Sequence, residues 1–204
     1  MITRITIAVG LSFLAGFVDA VGFMHLGGFF VAFMSGNSTQ MAVALPDGVA
    51  GALMPAGLIG LFVLGAIAGT LMEQRFSSAL GLLVLAALLG LAAMLAAMRL
   101  DDAAILATPL VMGSMNTVMR AGQGGMAVTY MTGNLVKLGQ TIVAAFQGGG
   151  RWAWLPYLLL WLGLVAGAVS GAVAYGEMEL AALWLPTAGL VALAAIRLAT
   201  RSSS

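Results

Sequence analysis

Two stretches decide how this chain is read: GFVDAVGFMHLGGFFVAFMSGNSTQM at residues 16–41 and GSMNTVMRAGQGGMAVTYMTGNLVKL at residues 113–138. They align without a gap. Gly16 meets Gly113, Val21 meets Val118, and the pair Gly27-Gly28 meets Gly124-Gly125. Val31, Met34, Gly36 and Asn37 meet Val128, Met131, Gly133 and Asn134. Asp19 faces Asn116, Ser35 faces Thr132 and Phe33 faces Tyr130. Glycine matches alone carry little weight in a chain with 28 glycines, but a shared M-[ST]-G-N with matching flanks indicates an internal duplication.

The composition around these stretches is that of a membrane protein. Of 204 residues, 62% are hydrophobic and 7% charged, where soluble chains run at roughly 45–50% and about 25%. The mean hydropathy of +1.09 agrees. A net charge of +1 leaves no basic face for nucleic acid. The absence of cysteine removes disulfides, thiolate metal sites and Cys nucleophiles, and a single histidine leaves no His-rich metal site. No cofactor is expected. The apolar runs are continuous rather than alternating, which excludes a barrel.

A helix needs about 20 apolar residues to cross a bilayer. Six runs qualify, at residues 5–24, 51–72, 80–98, 103–119, 154–175 and 180–196. The first contains Asp19 and lacks a cleavage site, so it reads as an uncleaved span. The stretches 27–45 and 124–145 fit no span. If both dip in and return by the side they entered, Arg4, Arg75, Arg120, Arg151, Arg197 and Arg201 fall on one side of the membrane. Asp47, Asp101, Asp102, Glu177 and Glu179 then fall on the other, with Arg99. The positive-inside rule puts both termini in the cytoplasm. If the stretches cross instead, Arg75 and Arg120 change sides; their length suits either path.

The expected fold is therefore all-α: six transmembrane helices forming one membrane domain over 1–204. Repeat 1 covers about 1–100 and repeat 2 about 101–200. Three crossings per repeat invert the second half relative to the first, a pattern of secondary transporters. Each odd stretch reads as a Gly-Gly break, a short extended strand (residues 29–34 and 126–131), a cap at Ser35 or Thr132, and a half-helix from Asn37 or Asn134. Paired near the midplane, the two half-helix N-termini would offer free N–H groups and about half a positive charge each.

The substrate-binding residues read from this pattern are Ser35, Gly36 and Asn37 with Thr132, Gly133 and Asn134, flanked by Asp19 and Asn116. Asp19 is a carboxylate within an apolar span, costly there unless paired or wet. The ligand so implied is a small polar, anionic solute. The opposing reading is that SGN and TGN only start two packed helices. Lys137, His25, Gln40, Gln140 and Thr39 are secondary candidates. The Gly65–Gly69 and Gly163–Gly167–Gly171 runs are helix-packing faces, within one chain or across a homodimer. No Ser/His pair, HExxH or Cys supports an enzyme. The functional readings are a small transporter or channel, or a non-transporting structural or sensory module.

The segments FVDAVGF, FFVAFMSGN, MGSMN and VTYMTGN resemble the bacterial YoaK family, and the resemblance covers nearly the whole chain. It implies a small polytopic protein of the bacterial cytoplasmic membrane and supplies no substrate. A basic pair is usual after the MN segment; here Arg120 is followed by Ala121. The strand and half-helix element is similar in architecture to paired elements of sulfate-permease and uracil-permease transporters, an analogy of form alone.

Overall fold

In an apolar environment a backbone must satisfy its own hydrogen bonds, and continuous apolar runs do so as helices. The structure, a computed structural model, describes residues 2–118 and 130–201, with side chains at 5–117 and 130–200. Among these residues the chain is all-helical. Its helices are α1 (Ile2–His25), α2 (Met34–Ala44), α3 (Val49–Arg75), α4 (Ser78–Ala97), α5 (Asp101–Val118), α6 (Met131–Phe146), α7 (Leu155–Met178) and α8 (Trp184–Arg201). Short 3-10 turns occupy Leu45–Asp47 and Glu179–Leu183. The six long helices match the six apolar runs, and α2 and α6 fall in the two odd stretches. By length and composition Ile5–His25, Val49–Arg75, Ser78–Ala97 and the stretch Leu155–Thr200 suit a membrane; α5, which opens on Asp101 and Asp102, is not among these.

Two helix pairs pack most extensively, α1 with α7 and α3 with α5. A Cβ added to Gly167 or Gly171 of α7 would strike the carbonyls of Phe13 and Phe17, and one on Gly16 of α1 would strike that of Leu164. The other pair repeats this contact for contact. Gly65 and Gly69 of α3 lie against Leu110 and Ser114, and Gly113 of α5 lies against the carbonyl of Phe62. Each seam also carries a buried hydroxyl bond, Ser12 Oγ to Leu160 O at 2.8 Å and Ser114 Oγ to Gly65 O at 2.8 Å. Small residues allow this approach, and dispersion and hydrogen bonding then hold helices that lipid does not drive together. The core between the pairs is filled from α1, α4, α5 and α8, by Leu11, Leu82, Leu85, Leu89, Ile105, Met112 and Leu190.

The ends of the helices settle the path of the first odd stretch within the bundle. His25, Arg99 and Glu179 line one cavity, so the C-terminal ends of α1, α4 and α7 share one end of the bundle. Arg197 Nε donates to Ser78 Oγ at 3.2 Å, which puts the start of α4 with the close of α8 at the opposite end. Helix α3 runs 27 residues to reach that opposite end at Arg75, about 40 Å at 1.5 Å per residue. Residues 26–48 therefore leave and rejoin the same end.

Two local expectations are corrected. No strand occurs among the described residues: residues 28–33 are irregular, because their backbone bonds to side chains of α1 and α2 rather than to another extended segment. Ser35 and Thr132 are not caps. The helices begin two residues earlier than such caps would set, at Met34 and Met131, with Phe33 and Tyr130 in the cap positions and no side-chain cap bond. Arg120, Gly124-Gly125 and residues 126–129 of the second extended stretch lie outside the described residues.

Candidate functional site

The chain between α1 and α2 is held from both sides. Asp19 Oδ1 on α1 accepts the backbone N–H groups of Val31 at 2.8 Å and Ala32 at 2.7 Å. Asn37, fully buried on α2, accepts the N–H of Phe30 at 2.9 Å through Oδ1 and donates Nδ2 to its carbonyl at 2.6 Å. That reciprocal pair does for Phe30 what a neighbouring strand would do. Gln40 Nε2 adds a bond to Gly28 O at 2.7 Å. Gly27 and Gly28 adopt φ of 66° and 114°, the left-handed side that lets the chain reverse after α1.

The M-[ST]-G-N signature has the same local geometry in both copies. The ring of Phe33 folds back over Gly36, and the ring of Tyr130 folds back over Gly133, where a Cβ would clash. The Asn37 amide lies 3.7 Å from Met34 Sδ, and the Asn134 amide 3.9 Å from Met131 Sδ. Asn134 is buried like Asn37. The glycine is needed for the ring, and the asparagine sits one turn behind the methionine.

Two cavities flank the place where α2 and α6 begin. One, of about 380 Å³, is lined by Asp19, Gly16 and Ala20 of α1, Phe23, Phe30 and Phe33, Met131, and Leu164 and Ala168 of α7. The other, of about 440 Å³, is lined by Asn116 and Thr117 of α5, Met34, Ser35, Tyr130, Met131 and Thr132, and Phe62 and Ala66 of α3. These linings correspond: Asp19 with Asn116, Ala20 with Thr117, Phe33 with Tyr130, Met131 with Met34, Leu164 with Phe62.

The structure thus brings Ser35, Thr132 and Asn116 to one cavity and Asp19 and Gly16 to its neighbour. Gly36, Asn37, Gly133 and Asn134 line neither; they shape the helix starts instead. Asn116 Nδ2 also bonds Met112 O at 3.0 Å, one turn back on its own helix. Lys137 is exposed and lies over the Tyr157 ring at 5.9 Å. His25 Nδ1 is 3.1 Å from the Tyr175 hydroxyl on α7. Sequence reading missed the aromatic lining by Phe23, Phe30 and Phe33. Its signal was their clustering around Asp19, which extended-strand reading dispersed.

A family described as "Protein of unknown function (DUF1275)" matches residues 7–196. The chain belongs to the DUF1275 family. A UPF0700 transmembrane protein of Rhizobium meliloti (strain 1021) is 37% identical over 200 residues, which cover 94% of this chain and 84% of that protein. The resemblance to YoaK-type proteins is consistent with this membership. No solved structure matches the chain. With its apolar helices and a transmembrane relative, this DUF1275 protein is a multi-pass membrane protein.

Proposed function

We propose that the chain is a small transporter or channel of the bacterial cytoplasmic membrane, binding a polar small molecule at the cavities where α2 and α6 begin. The observation that carries this reading is the corresponding pair of cavities, one behind Asp19 and one behind Asn116, beside broken helices. Discontinuous helices at the interface of two repeats are where secondary transporters hold substrate. The matched α1–α7 and α5–α3 seams support two related halves; the reading adds six crossings by the long helices, inverted between the halves, with both termini cytoplasmic. Neither odd stretch then crosses. A homodimer would supply scaffold that six helices lack, and the exposed Val63, Leu64 and Ile67 of α3 offer an apolar face for lipid or for a second copy.

The anionic class drawn from two bare helix starts finds less support, since the rings of Phe33 and Tyr130 cover the first turns of α2 and α6. The signature residues favour a second reading as well. Asn37 bonded to Phe30, with Phe33 over Gly36, is what a packing or sensory module would retain. A thermal-shift screen of purified protein against small organic ions separates the readings, because a ligand of the native state raises its apparent stability. Protection that disappears when Thr132→Trp or Ala168→Leu fills a cavity supports a solute site; a panel without any protection favours the module.

A further inference from the structure

We infer that the cavity behind Asp19 binds an organic ammonium ion, a positively charged nitrogen carrying an apolar substituent. The inference rests on the solute-site reading and names its substrate class.

Among the described residues the lining holds one ionisable side chain, the acidic Asp19. Asp19 presents its carboxylate to a cavity otherwise walled by Phe23, Phe30, Phe33, Met131 and small residues. The three phenyl rings touch in series around the cavity, Phe23 and Phe30 tilted with centroids 4.8 Å apart and Phe30 and Phe33 edge to face with centroids 5.1 Å apart. Ring faces attract cations, most strongly where water is excluded. Among the described residues no basic side chain lines this cavity. Two backbone N–H groups orient the carboxylate through Oδ1. A bare metal ion finds one carboxylate and few other oxygens here, whereas an ammonium ion with an apolar group uses the carboxylate and the rings together. At about 380 Å³ the cavity falls within the range of small-molecule sites.

A second feature points the same way. His25 follows Asp19 on α1 by about 9 Å along the helix axis. It opens onto a larger cavity of about 600 Å³ at the end of the bundle, lined by Asp101, Glu177 and Glu179 against Arg99. Acidic groups gathered there raise the local concentration of cations at that end of the bundle.

The test uses the full chain in lipid nanodiscs, with benzyltrimethylammonium as the probe and phenylacetate as an anion of similar size. Binding is read by calorimetry and by thermal shift. The expected result is binding of the ammonium probe and at least a tenfold weaker response to phenylacetate. Asp19→Asn, which keeps the Oδ1 acceptor for Val31 and Ala32, should weaken the ammonium probe at least tenfold. Phe23→Leu, away from those hydrogen bonds, should weaken it by about three- to thirtyfold, and Ala168→Leu should abolish it. If Asp19→Asn does not fold, the Phe23→Leu and Ala168→Leu variants decide. Equal or tighter binding of phenylacetate that Ala168→Leu abolishes overturns the ammonium class and leaves the solute site standing. Failure of both probes to bind, or binding that Ala168→Leu does not change, overturns the inference and the site together.

Discussion

Asn37 and Phe30 exchange both of their hydrogen bonds, Phe30 N to Asn37 Oδ1 at 2.9 Å and Asn37 Nδ2 to Phe30 O at 2.6 Å. One amide side chain thereby completes the backbone bonding of a non-helical residue between two helices. Replacing Asn37 with Leu leaves a donor and an acceptor unsatisfied, at a cost of about 1–3 kcal/mol for each buried group. Asn37→Leu is expected to lower the melting temperature in detergent by several degrees, about 2–4 °C per kcal/mol for a domain of this size. Asn37→Gln should recover little, because its longer side chain misplaces both atoms. A melting temperature unchanged in Asn37→Leu would show that the pair does not brace the loop.

The hold on this loop from the α1 side is separately testable. Asp19→Ala removes the acceptor for Val31 and Ala32, whereas Asp19→Asn keeps an oxygen in place. Hydrogen exchange over residues 29–33 should quicken about tenfold or more in the alanine variant, since about 1.4 kcal/mol of lost protection is a factor of ten. The asparagine variant should stay near wild type. Equal exchange in all three proteins would remove Asp19 from the loop's support.

The two glycine seams predict paired failures. Gly167→Val drives a side chain into the Phe13 carbonyl, and Gly65→Val does the same at Leu110. Both variants should lose monodisperse protein in size-exclusion chromatography, because backbone cannot yield as a side chain would. Gly57→Ala and Gly60→Ala, with open space around them, should match wild type within about 1 kcal/mol. A tolerated Gly167→Val would mean that the α1–α7 contact is looser than described.

The chain lacks cysteine, so single cysteines report topology without background. Gln74→Cys and Gln147→Cys should react with a membrane-impermeant maleimide only from the cytoplasmic side. Asp47→Cys, Asp102→Cys and Glu177→Cys should react only from outside. All five positions are exposed. Labelling of Gln74→Cys from outside would refute return of the first odd stretch to its own side.

Much of this was legible in the order of residues. Six apolar runs gave the six long helices, since continuous hydrophobicity of that length has few other stable forms in a bilayer. The paired M-[ST]-G-N segments gave the location of both short helices and of the irregular backbone ahead of α2. The strand expected at residues 29–34 failed for a reason invisible to local pattern. Aromatic and β-branched residues favour extended backbone, but the partner that satisfies Phe30, Val31 and Ala32 is a pair of side chains on α1 and α2. The cap expected at Ser35 failed similarly: the Phe33 carbonyl accepts the N–H groups of Gly36 and Asn37, so α2 starts at Met34 without a side-chain cap.

By itself the sequence determined that this is a membrane protein, that its two halves share a motif, and that Asp19 is a carboxylate in an apolar helix. Those facts follow from composition, spacing and alignment, which are properties of the chain in order. The tertiary structure alone decided that residues 26–48 return to their own end of the bundle, because that depends on which helix ends meet: His25 with Arg99 and Glu179, Ser78 with Arg197. It also decided that Asn37 serves the backbone of Phe30 while Asp19, Ser35, Asn116 and Thr132 line cavities. Whether a polar side chain faces backbone or open space is fixed by packing between distant segments, and no spacing along the chain encodes it.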